Sequence, residues 1–207
     1  MAETEEQVIT PSIINNAMTY DEFRQLVSDL LEKDETTGGP ASDEVIYYTK
    51  MNVQRMNRLE KTIELNDEIK NQLNDLDESW IWLVLVEGWC GDVAQNLPII
   101  KKMADESPSI DLKLILRDKH PKVMDNYLTN GKSRSIPKLV VLQADDLKEV
   151  GAWGPRPDPA QQLVLEKKDD PDLDFEEMAT QLHKWYADDK GKTIQSEFQD
   201  KLSEWAG

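Results

Sequence analysis

Apolar positions recur first at helical spacing and then, from Trp80, at the density of buried strands. Phe23, Leu26, Val27, Leu30 and Leu31 stand three or four residues apart, which predicts a helix over 20–33 with one apolar face. The "TYDE" before it, residues 19–22, has the pattern of a capping box: the Thr19 hydroxyl accepts the Glu22 amide while Glu22 reaches back to Thr19. "DETTGGP" at 34–40 stops that helix with two glycines and a proline. Ser42 is a candidate N-cap for a second helix, whose apolar positions Val45, Tyr48, Met56, Leu59 and Ile63 run to about residue 64. Leu65, Ile69, Leu73 and Leu76 continue in a third helix capped near Asn66. Residues 1–18 carry no such pattern and read as a loosely ordered lead-in.

The period then changes. "WIWLVLVEG", from Trp80, is a short apolar run rich in Trp, Val and Ile, as expected of a strand covered on both faces. "VAQNLPIIKKMADE" predicts a helix containing Pro98, and "IDLKLILRD" a second strand. "HPKVMDNYLTNG" predicts a short helix closed by Asn130 and Gly131. "SIPKLVVLQ" is a third strand and "DDLKEVGAW" a fourth, returning by a hairpin. Beyond the turn-rich "GPRPDP", Leu173, Met178, Leu182 and Trp185 mark one helix, and Ile194, Phe198, Leu202 and Trp205 another. Strands alternating with helices imply an α/β fold, a central sheet flanked on both faces by helices.

Composition narrows the function. The 24 basic residues against 41 acidic leave a net charge of −17. Such a chain lacks the clustered Lys and Arg that release counterions from nucleic acid, and it is unsuited to anionic lipid; neither partner is expected. No stretch reaches the roughly 18 apolar residues of a membrane span, and the acidic N-terminus has no secretory pattern. One cysteine and two histidines provide little for a metal site, and no glycine-rich phosphate loop is present. Neither metal nor cofactor is expected. A lone free cysteine suits a reducing compartment, and the expected location is cytoplasmic.

That cysteine is Cys90, in "EGWCGDVAQNLP" at 87–98. A strand, a tight loop and a cysteine in the first turn of a helix form a meaningful series. Free amides and the helix dipole stabilise a thiolate and lower the pKa of the thiol. Asp92 suits the same dipole but opposes the thiolate by like charge. Trp89 offers a flat apolar wall, and Gly91 leaves room for a partner backbone.

The segment resembles the active-site segment of the thioredoxin superfamily, where W-C-G-x-C ends a core strand and opens a helix. Pro98 lies eight residues after Cys90, as the helix proline of the family does. "SIPKLVVL" resembles the cis-proline loop, with Pro137 following Cys90 by 47 residues, which makes Ile136–Pro137 the candidate cis bond. Gly151 also stands where the family carries a glycine. "WCGD" at 89–92, "LRD" at 116–118, "YLTNG" at 127–131, "RSIP" at 134–137 and "WGPRP" at 153–157 are similar to a bacterial thioredoxin-like subgroup with a helical N-terminal extension. The resemblance implies a thioredoxin-like fold in three parts: a flexible N-terminus, 1–18; a helical extension packing on the core, 19–77; and a thioredoxin-like domain with C-terminal helices, 78–207.

Two departures govern the expected function. The position of the second cysteine holds Val93, and the position of the buried acid of the family, six before Cys90, holds Val84. A dithiol cycle is therefore closed to this chain. Thiol-redox chemistry would run through Cys90 alone, by a mixed disulfide with a protein or a low-molecular-weight thiol. Trp89, Gly91, Asp92, Arg134, Ile136, Pro137 and Arg156 would bind the substrate, with the Ile136–Pro137 backbone pairing to an extended segment. The alternative is a redox-inactive binding module for a peptide or protein partner, with Trp153 as a further groove wall. Asp118 and Arg134 are expected to pair, and Lys138 to lie at the surface among acids. His120 falls in a loop and His183 in a late helix, and neither is placed by sequence to act as a base for Cys90. The sequence leaves the oligomeric state open.

Overall fold

The computed structural model of the chain describes residues 7–168 and 174–206, without the side chains of Lys168 and Phe175. Its centre is a four-stranded mixed sheet. Strands β1 (Trp80–Val86), β2 (Ile110–Leu116), β3 (Lys138–Gln143) and β4 (Glu149–Trp153) lie in the order β2-β1-β3-β4. β1 runs parallel to β2, Trp82 opposite Leu112, and antiparallel to β3, Trp82 opposite Val141. β4 returns antiparallel on β3, with a bulge between Val141 and Leu142. Every residue of β1 is buried, so both faces at the middle of the sheet are covered, as its unbroken apolar run requires.

Helices flank this sheet: α1 (Pro11–Asn15), α2 (Tyr20–Leu31), α3 (Asp43–Thr62), α4 (Asp67–Asn74), α5 (Gly91–Glu106), α6 (Pro121–Asn126), α7 (Asp158–Lys168), α8 (Phe175–Asp189) and α9 (Lys192–Trp205). Thr19, Ser42 and Asn66 cap α2, α3 and α4 with their side chains, and the Thr19–Glu22 capping box closes in both directions. α9 lies across the face of the sheet that carries Trp82 and Trp153, with the Phe198 ring 5.4 Å from each. Gly151 makes room for it: a Cβ there would stand 2.0 Å from Trp205 Nε1.

Several expectations need correction. Within the lead-in, residues 7–18 are packed: Ile9 and Ile14 are buried, and Met18 exchanges two 2.8 Å backbone hydrogen bonds with Leu114 at the edge of the sheet. The earlier residues, 1–6, lie outside the described part. α6 ends at Asn126, and Asn130 and Gly131, both at positive φ, form a turn bridged by Thr129 and Ser133. α7 was not expected, because Leu163, Val164 and Leu165 are consecutive where a helical stripe is spaced. Leu173 lies outside the described residues. One continuous core runs from Ile9 to Trp205, and a small second cluster joins Ala160 of α7 to Leu182 and Tyr186 of α8. Among the described residues no helix is long and apolar enough to cross a membrane.

Candidate functional site

Cys90 is the N-cap residue of α5 and makes no capping hydrogen bond with its side chain. The thiol instead donates to the Ile136 carbonyl at 3.3 Å. The residue is only partly buried, yet protein crowds the sulfur. Burial pushes the thiol up to about 12, and the Asp92 carboxylate adds to that rise. The Val93 and Asp92 amides and the Arg156 guanidinium pull downward without prevailing. The helix N-terminus therefore acts as expected in direction, but desolvation and a like charge outweigh it.

Asp92 is the centre of a buried network. Its Oδ1 accepts from the Tyr186 hydroxyl at 2.7 Å, and its Oδ2 accepts from Arg156 Nε at 3.1 Å and from Arg156 Nη2. Asn96 Nδ2 donates to the Tyr186 hydroxyl oxygen at 3.0 Å. The side chains of Arg156 and Asp92 are 14% and 9% exposed, so this charge pair is largely withdrawn from water. Asp92 thus does more than suit the dipole of α5: it ties that helix to the 154–157 loop and to α8.

The proline loop closes one side of Cys90. Ile136–Pro137 and Gly154–Pro155 are cis peptides, and Ile136 and Pro137 are buried. Gly154 sits so close that a Cβ on it would meet the Pro137 carbonyl oxygen at 2.3 Å. Lys138, expected at the surface, is buried and donates to the Gly154 carbonyl at 2.7 Å. Trp153 faces the core, its indole donating to Glu197 at 2.8 Å, and is no groove wall. Arg134 holds Asp125 with two 2.7 Å hydrogen bonds, while Asp118 pairs with Arg117; the expected Asp118–Arg134 pair does not form.

The other side is open. A cavity of about 340 Å³ is bounded by α3, the Trp89–Asp92 loop, α7 and α8, and Tyr48, Trp89, Leu182 and His183 are among its walls. Trp89 and Gly91 both border it, and Arg117 lies over the Trp89 ring at 4.8 Å. His183, in the late helix α8, stands over the start of α5: a Cβ on Gly91 would lie 3.1 Å from its Cε1. Burial first, then the Arg55 charge, lowers its pKa to about 4. The loop at Thr36–Gly38, expected only to end a helix, clamps the Cys90 turn. Thr37 Oγ1 accepts the Gly88 amide at 2.8 Å, and Asn52 Nδ2 donates to the Gly88 carbonyl at 3.1 Å. Glu87, at the end of β1, is fully buried and accepts the Asp118 amide at 3.0 Å; burial raises its pKa.

Of the expected site residues, Cys90, Ile136 and Pro137 meet on the closed side. Trp89, Gly91, Asp92 and Arg156 border the cavity, and Arg134 does not. Sequence reading missed Asn52, Arg55, His183 and Tyr186, which come from α3 and α8. Both helices carry many polar residues, so no signal in the sequence singles these four out. Among the described residues no group of three or more His, Cys, Asp or Glu side chains could hold a metal ion.

The family model described as Thioredoxin matches residues 38–178. A crystal structure of a protein of unknown function from Pseudomonas aeruginosa is similar over 93% of both chains, at 18% identity and a TM-score of 0.59. The structure of an HIV epitope-scaffold is similar over 90% of this chain and 98% of its own, at 16% identity and a TM-score of 0.51. At these identities the likeness concerns the fold. No curated protein matches the chain.

Proposed function

The chain belongs to the thioredoxin family, and from that premise we propose that it is a binding module, with its ligand held in the cavity beside a protonated Cys90. One observation carries this reading. The protein satisfies its own active-site end: the thiol donates to Ile136, and Arg156, the guanidinium that could offset a thiolate, is committed to Asp92. Strand pairing at the proline loop is disfavoured by the same packing, since Gly154 lies against the Pro137 carbonyl and the Ile136 carbonyl already accepts the thiol. Space for a ligand remains on the α3 and α8 side.

A second reading is favoured by the two amides of α5 that oppose the rise of the thiol pKa. In it, Cys90 forms a mixed disulfide once a partner displaces the Ile136 contact, and an external thiol resolves the product. The pH dependence of Cys90 alkylation by iodoacetamide separates the two. The binding reading expects slow modification at pH 7, with the rate still rising above pH 9. Fast modification at neutral pH with a midpoint below about 8.5, the value of a free cysteine, overturns it in favour of the single-thiol reading.

A further inference from the structure

The cavity wall carries a charge that the described protein does not match. Arg55 of α3 borders the cavity and is half-buried. Its Nη1 donates to Asn52 Oδ1 at 2.8 Å, and Asn52 is itself fixed by its bond to the Gly88 carbonyl. A guanidinium has five N–H donors in a planar fork. Among the described residues, no other acceptor bonds to Arg55 and no carboxylate pairs with it. Burial, then the Arg58 charge, lowers its pKa, and the opposing influences are the Tyr47 and Tyr48 phenols, with no carboxylate among them.

The setting makes that solitude informative. The chain carries 41 acidic residues, and a half-buried guanidinium whose free donors face a cavity is placed to pair with a carboxylate. Arg156, the other guanidinium in the wall, has its carboxylate in Asp92. Glu44 also borders the cavity, but it is exposed and stands eleven residues from Arg55 along α3, about 16 Å at the helical rise. His183 is held neutral. Around Arg55 the remaining wall includes Tyr48, Val164, Met178 and Leu182.

We infer that the cavity takes a small molecule with an apolar body and one carboxylate, the carboxylate on Arg55 and the body against Tyr48, Met178 and Leu182. The inference rests on the reading of the site as a binding site and specifies its ligand class. At about 340 Å³ the cavity falls at the small end of ligand pockets, which run from about 300 to 1,000 Å³, and a compact aromatic acid such as 3-phenylpropionate represents the class. A charge-assisted fork on a carboxylate provides both attraction and orientation, and a neutral analogue forfeits it.

The test is calorimetric titration of the full chain at pH 7 with 3-phenylpropionate and, separately, with 3-phenylpropanol. The acid is expected to bind at least tenfold tighter than the alcohol. Arg55→Gln should abolish the preference for the acid over the alcohol, and Arg55→Lys should restore part of it. Equal affinity for acid and alcohol, or an acid preference that survives Arg55→Gln, overturns the carboxylate assignment and leaves the binding reading standing. Binding of neither compound at millimolar concentration overturns the ligand class and the cavity as a binding site together.

Discussion

The two sides of Cys90 are built from the same chain to opposite ends. On the proline-loop side, Ile136, Pro137 and Gly154 pack until no room for a Cβ is left, and Lys138 has its donor engaged, while the Asp92–Arg156 pair stands at the border between the two sides. On the α3 and α8 side, an apolar cavity remains, bordered by a guanidinium with no carboxylate partner among the described residues. The closed side supplies the acceptor of the thiol, and Asp92, at the border of the two sides, supplies the neighbouring negative charge. The open side governs what can approach.

The sharpest way to break this division is Asp92→Ala. It removes one partner of a buried ion pair and strands Arg156 and the Tyr186 hydroxyl, so unfolding in urea should show a loss of about 3–5 kcal/mol. The same variant should lower the Cys90 pKa and speed alkylation, since it deletes the adjacent negative charge and frees Arg156. A stable variant with an unchanged thiol would mean that the network is not what restrains Cys90.

Gly154→Ala tests the closed side alone. With φ at +114° and the Pro137 oxygen 2.3 Å from the added carbon, it combines backbone strain with overpacking, together about 3 kcal/mol. A melting temperature within a degree or two of the parent would show that the loop has slack.

His183 probes the open side by pH. Its folded pKa, lowered to about 4, lies below the unfolded value of about 6.5. Its contribution to stability is therefore complete above pH 6.5 and is lost as pH falls toward 4. Between pH 7 and pH 5 the loss should amount to roughly 2 kcal/mol, and His183→Gln should flatten that part of the stability curve. An identical curve for the variant would show that the ring is solvated in the native protein.

Much of the fold was legible because it rests on local rules. Thr19, Ser42 and Asn66 cap where a short polar side chain precedes an apolar stripe, and the unbroken run of β1 required coverage on both faces. The hairpin of β3 and β4 follows from two apolar runs joined by a short polar turn. α7 escaped because its apolar residues are adjacent and it covers only a small cluster. The expected Asp118–Arg134 pair was an inference of proximity, and each residue found a nearer partner, Arg117 and Asp125.

Within the site, the sequence by itself determined that a single thiol begins a helix after a buried strand, that Val93 cannot replace a second cysteine, and that Pro137 faces that thiol in the family it resembles. These depend on identity and spacing. Tertiary structure decided the rest: that Asp92 binds Arg156 and Tyr186, 64 and 94 residues away, that His183 covers Gly91, and that Arg55 borders a cavity without a carboxylate of its own among the described residues. Desolvation and Coulomb energy depend on distances between residues remote in the chain. Only the packed fold sets those distances.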